Sequence, residues 1–136
     1  TFERRYGVAD PIKVFYEGVK EMLANLEEKC LLAVHHSDIA VDISPPGIDK
    51  GSGIKFLAEK TGVLPAEILG VGDSRGDFPM LNLVGYVGCP YNASEECKKL
   101  VDSRGGWVSV GKHAYGVASV IDHFYSRHQG AWARKT

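Results

Sequence analysis

From residue 51 to residue 125 the chain keeps changing hydrophobic period, with only short connections between the changes. "SGIKFLAEKTG" places Ile54, Leu57, Ala58 and Thr61 on one helical stripe and closes on Gly62, a residue suited to a helix C-terminus. "EILGVGD" is an apolar run of strand length. "FPMLNLVG" reads as a helix, with Pro79 tolerable in its first turn. "YVGCP" and "GWVSV" read as strands on either side of the helical "NASEECKKLV", where Asn92 is a candidate N-cap and Glu95 the partner of a capping box. "GVASVIDHF" then aligns Val117, Val120, Ile121 and Phe124 on a helix. Strands separated by single helices need crossover connections, and crossovers give a parallel sheet with helices on its faces. The expectation is an α/β domain.

The preceding segment has a different grammar. Val14, Phe15, Val19, Met22, Leu23 and Leu26 follow helical spacing. "LLAVHHSDIAVDIS" places two β-prone runs around His36-Ser37-Asp38, the pattern of an antiparallel hairpin with one face covered. His35 and His36 read as hairpin residues, with a substrate-facing role as the alternative. "SPPG" then stops regular structure. The expected division is 1–45, 46–126 and a patternless tail at 127–136.

Charge and composition narrow the function classes. Sixteen basic residues against 17 acidic ones give a net charge of −1, with no basic block to track a phosphate backbone, so nucleic acid is not expected as a partner. No apolar run approaches the roughly 20 residues that span a bilayer, so no membrane association is expected either. Cys30, Cys89 and Cys97 form no CxxC pair and read as reduced packing thiols of a cytoplasmic protein. "TFERRYGVADPIK" does not read as a natural beginning, which suggests a fragment, a processed product or a truncated chain.

The densest chemistry lies in "ILGVGDSRGDFPML". Asp73 directly follows an apolar strand, and ligands of open parallel sheets bind beyond the carboxyl ends of the strands. Asp77 is one turn further on. Two carboxylates this close repel unless a cation or shared proton intervenes, and Mg²⁺ accepts one or two carboxylates together with substrate phosphate. The plainer alternative is that both acids cap the next helix. A dinucleotide loop does not fit, because Arg75 stands where GxGxxG, counted from Gly70 and Gly72, requires its third glycine, and no acid ends the next strand. Lys50, in "GIDKGSG" before a helix start, suits a phosphate or a buried carboxylate; an exposed surface lysine is the alternative.

Together, "DKGSGIKFLAEKTG", "ILGVGDSRGDFPML" and "GYVGCPYNASEECKKLVD" resemble the C-terminal part of haloacid dehalogenase (HAD) superfamily phosphatases, nearest to the Cof-like and sugar-phosphate phosphatase subgroup. The resemblance covers most of residues 39–125. It implies the C-terminal half of a Rossmannoid parallel sheet with helices on both faces, preceded by the remnant of an α/β cap. It implies Mg²⁺ as cofactor and a small phosphorylated metabolite as substrate. Lys50 would be the third-motif lysine, and Asp73 and Asp77 the fourth-motif acids that hold the metal. Ser74 stands where such families carry a group near the metal, and Asn92 where they carry an Asn-Ala pair, although a helix cap explains Asn92 equally well.

The family's first motif, DxD, supplies its nucleophile. The aspartates here are at 10, 38, 42, 49, 73, 77, 102 and 122, and no two are two residues apart. The second motif, a Ser or Thr ending a strand, has no counterpart either. An aspartyl-phosphate mechanism needs that carboxylate. The chain alone is therefore expected to bind weakly and not to turn over. The family also places the DxD strand beside the fourth-motif strand, so "EILGVG" is expected to be an open edge, fit for a missing N-terminal half or for self-association. A truncated interaction module and a Mg²⁺- or phosphate-binding domain without chemistry are the alternatives.

Overall fold

The computed structural model describes residues 11–36 and 41–132, which divide into two compact units between Ile48 and Asp49. The hairpin tip at Ser37 and Asp38 lies outside the described residues.

In the first unit, helix α1 spans Pro11–Glu28. It ends where Cys30 takes a left-handed conformation (φ 54°). The Cys30 N–H then donates to the Glu27 carbonyl (2.8 Å) and the Leu31 N–H to the Leu26 carbonyl (3.0 Å). This paired closure satisfies carbonyls the helix would leave orphaned. The Glu27 carboxylate accepts from the Val34 N–H (2.7 Å), tying the helix end to strand β1, Ala33–His36. Strand β2, Val41–Ser44, pairs antiparallel with β1, setting Val34 opposite Ile43. His35 and His36 stand on β1; their side chains are outside the described set.

The second unit has the expected α/β order. Helix α2 (Lys50–Thr61) is followed by a 3₁₀ turn at Pro65–Glu67 and strand β3 (Leu69–Val71). Another 3₁₀ turn, Arg75–Asp77, leads into α3 (Phe78–Leu81). Strand β4 (Tyr86–Cys89), helix α4 (Glu95–Ser103), strand β5 (Trp107–Val108) and helix α5 (His113–Trp132) complete it. The sheet order is β3-β4-β5, all parallel, with Gly70 opposite Val87 and Gly88 opposite Trp107.

Alternation along β4 explains the layers. Val87 and Cys89 join the buried cluster of Leu81 and Val84 with Ala93, Cys97 and Val101 of the α4 segment. Gly88 points the other way, where an added Cβ would meet Val120 of α5 at 2.4 Å. Successive strand residues face opposite sides, so helices cover both faces of the sheet. Each fully buried aliphatic side chain here contributes on the order of 2 kcal/mol. On its other side β3 pairs with nothing among the described residues.

Three elements differ from the sequence pattern. Helix α3 is a single turn rather than the full "FPMLNLVG", because the chain must re-enter the sheet and Gly85 N–H donates to the Pro65 carbonyl (2.9 Å). The carbonyls left over at Leu81 and Val84 accept from the Arg104 guanidinium, the latter at 2.8 Å. Strand β5 is only two residues long. Helix α5 continues through the tail to Trp132; there His128 meets Tyr86 edge-on, with ring centroids 4.8 Å apart, a contact that simple apolar spacing does not signal. Among the described residues no helix is long and apolar enough to cross a membrane.

Candidate functional site

The site forms at the carboxyl ends of β3 and β4, where the parallel strands stop and helices begin. Its first component is set by a helix cap. Asp49 accepts from the Ser52 N–H (2.7 Å), while the Ser52 hydroxyl accepts from the Asp49 N–H (3.0 Å). This reciprocal box starts α2 at Lys50 and fixes where its side chain leaves the backbone.

Lys50 then meets Asp77. Its Nζ lies 2.5 Å from Asp77 Oδ1, a contact across 27 residues. Asp77 Oδ2 accepts from the backbone N–H groups of Asp73 (2.7 Å) and Ser74 (3.2 Å). Asp77 therefore does not cap α3; its carboxylate reaches back across its own turn. The carboxylate is 7% exposed and the lysine side chain 61%. Burial pushes the Asp77 carboxyl up, but the hydrogen bonds from Lys50, Asp73 and Ser74 and the lysine's charge outweigh it, and the group sits below its ordinary value.

Asp73 is placed differently. Its carbonyl accepts from the Ser94 N–H (2.8 Å), which ties the turn to the start of α4. Its side chain is exposed, and among the described residues no ion pair or hydrogen bond engages it. Ser74 contributes its backbone N–H to Asp77, and its side chain does not line the cleft. Asn92 does not cap α4. Ser94 does, its hydroxyl accepting from the Cys97 N–H (3.2 Å), because it stands immediately before the first helical residue. The Asn92 amide oxygen instead accepts from the His113 N–H (2.6 Å) at the start of α5.

These residues share one open cleft of about 300 Å³, lined by Lys50, Asp73, Asp77, Asn92, His113 and Val117 among others. The structure thus brings Lys50, Asp73, Asp77 and Asn92 together. His113 went unnoticed in the sequence, since no local motif marks it. Behind the cleft, Cys89 and Cys97 are fully buried. Burial pushes the Cys97 thiol up to about 12, and the Cys89 thiol is also raised, chiefly by burial. Both are packing thiols, not nucleophiles.

The donor chemistry of the cleft suits a hard cation. One carboxylate stands free, a second is already held by an ammonium and two N–H groups, and no soft ligand lines the opening. Mg²⁺ requires no more protein ligands than that when a phosphate is present. Among the described residues no three His, Cys, Asp or Glu side chains cluster into a protein-only metal cage.

Comparisons with known proteins bear on the family and the fold. A profile of haloacid dehalogenase-like hydrolases matches residues 11–121. A phosphoglycolate phosphatase of Thermoplasma volcanium is 38% identical over 99 residues, covering 71% of this chain and 42% of that protein. One from Methanospirillum hungatei is 32% identical, covering 74% of this chain and 41% of its own length. The crystal structure of a Thermoplasma acidophilum protein superposes with a TM-score of 0.68 at 27% identity, over 79% of this chain and 46% of that one. The chain thus spans about two fifths of the length of the two phosphatases. With a parallel sheet covered on both faces and a profile match over most of its length, the chain belongs to the haloacid dehalogenase-like hydrolases.

Proposed function

We propose that this chain is the C-terminal portion of a Mg²⁺-dependent phosphohydrolase that acts on a small phosphorylated metabolite in the cytoplasm. The observation that carries this reading is the Lys50–Asp77 pair beside the free Asp73 carboxylate, in one cleft at the ends of parallel strands. Asp73 would hold the cation directly, and Asp77, with both oxygens engaged, would act on it at most through water. When bound, Mg²⁺ supplies positive charge against the phosphoryl oxygens. Lys50 adds a second, exposed cation for the same oxygens, and Asp77 orients it. The attacking carboxylate of an aspartyl-phosphate mechanism would come from a DxD segment outside this chain. Residues 1–45 would be the end of a cap, and 46–126 the second half of the catalytic core. Since two relatives are named phosphoglycolate phosphatases, phosphoglycolate is the first substrate to try on an assembled enzyme.

The test has two arms. The chain alone, given a chromogenic phosphate ester and Mg²⁺, is expected to release no phosphate, and robust turnover would refute the absent nucleophile. Calorimetric titration with Mg²⁺ should show binding that Asp73→Asn largely removes. Unchanged affinity in that variant would take Asp73 out of the site.

A second reading follows from the unpaired side of β3. Without a catalytic half, the domain would serve as an interaction module that pairs through that strand. Sedimentation of the chain at high concentration separates the two, because a strict monomer counts against pairing.

A further inference from the structure

We infer that His113 is a substrate-positioning residue, donating a hydrogen bond from Nε2–H to a phosphoryl oxygen bound in the cleft; this rests on the phosphatase reading above. His113 lines the same cleft as Lys50, Asp73 and Asp77. Its backbone is held at φ 51°, one of two non-glycine residues with positive φ among those described. That conformation is uncommon for a side-chain-bearing residue and needs surrounding contacts to maintain it. The contacts are present. The segments around residues 91 and 112 are laced together by the Tyr91 N–H on the Gly111 carbonyl (2.8 Å). The Lys112 ammonium lies 5.6 Å from the Tyr91 ring centroid. The His113 N–H donates to Asn92 Oδ1 (2.6 Å).

The last bond determines the chemistry of the ring. A backbone N–H can only donate, so the oxygen of the Asn92 amide must face it. The amide's NH₂ group is then the atom group nearest His113 Nδ1, at 3.4 Å. An NH₂ donates, so Nδ1 must accept and the neutral ring carries its proton on Nε2. Asn92 thereby sets His113 as a donor. Both residues are exposed, so a ligand can reach them. A donor that shares a cleft with an ammonium and a free carboxylate suits an oxygen-rich anion bridged by a cation. The cleft would then grip a phosphate from three sources: the metal at Asp73, the Lys50 charge and the His113 N–H.

The test measures inorganic phosphate binding in the presence of Mg²⁺, by NMR titration of the whole chain. His113→Gly deletes the ring while suiting the left-handed backbone; His113→Gln restores an N–H donor. The wild type should show the Nε2–H tautomer in ring-nitrogen spectra, with that nitrogen shifting as phosphate is added. His113→Gly should bind phosphate about tenfold more weakly, with Mg²⁺ affinity unchanged, and His113→Gln should recover most of the loss. If His113→Gly binds phosphate as the wild type does while Lys50→Met does not, this inference is wrong and the phosphatase reading stands. If His113→Gly loses Mg²⁺ and phosphate affinity together with thermal stability, the residue is structural and the inference is also wrong. If the wild type binds no phosphate, both fall.

Discussion

A Cβ placed on Gly72 would lie 2.5 Å from the Cβ of Asp77. The backbone at the end of β3 and the acid side chain five residues later pack directly against one another, so the turn closes only over a glycine. Gly72→Ala should destabilise the chain by about 1–3 kcal/mol through overpacking. It should also push Asp77 off the Asp73 and Ser74 N–H groups. Gly53, inside α2 with open space where its Cβ would stand, is the control; Gly53→Ala should stabilise by roughly 0.5–1 kcal/mol. Urea denaturation of the two variants measures the contrast.

Lys50→Met leaves a buried carboxylate without its cation. The expected loss is about 1 kcal/mol, held low because most of the lysine side chain is in water. The pH dependence is more telling. The Asp77 carboxyl sits below 3.8 in the fold, so the stability it contributes is present above pH 3.8 and is lost as pH falls through the lower folded value. Removing Lys50 raises that folded value, and acid unfolding should begin at a higher pH. Identical acid limbs for the two proteins would rule out the pairing as an energetic link.

His123 stacks on Trp107 with ring centroids 4.2 Å apart and planes 8° from parallel. Burial, then the nearby Arg127 charge, lowers its pKa from 6.5. The fold thus favours the neutral ring. The associated stability is present above pH 6.5 and lost as pH falls through the folded value. His123→Phe should flatten the denaturation midpoint between pH 7 and pH 5, a range where the wild type weakens.

The three cysteines should separate by reactivity. Cys30 is exposed, whereas Cys89 and Cys97 are buried with raised thiol pKa values. Maleimide at neutral pH should label Cys30 alone in the native chain, and all three in denaturant. Native labelling of Cys97 would show that α4 opens more readily than its packing implies.

The fold was legible where apolar spacing alone decides an element. The α2, β3 and β4 patterns are local and match the structure closely, whereas α4 starts two residues later than its pattern because Ser94, not Asn92, caps it. The α3 pattern misled because a one-turn helix cannot be told from a two-turn one by spacing when its end is fixed from outside. Lys50, Asp73 and Asp77 were legible because two are neighbours in sequence and the third sits at a cap. Asn92 was open to two readings, a helix cap or the family's Asn-Ala residue, and the helix start at Glu95, capped by Ser94, rules out the first. His113 was invisible, because its place in the cleft depends on a contact with a residue 21 positions earlier.

The grip of Arg104 on the Leu81 and Val84 carbonyls reaches beyond packing. A single turn such as α3 cannot hold its own shape, since a lone hydrogen-bonded turn is a costly nucleus. The segment that carries Asp77 is therefore held at its far end by a residue at the C-terminus of α4, while Ser94 at the other end of α4 holds Asp73. The acids and that helix are therefore expected to open as one cooperative unit. In amide hydrogen exchange the Asp73–Val84 segment and α4 should lose protection at the same free energy, so the cleft cannot loosen without unfolding a helix.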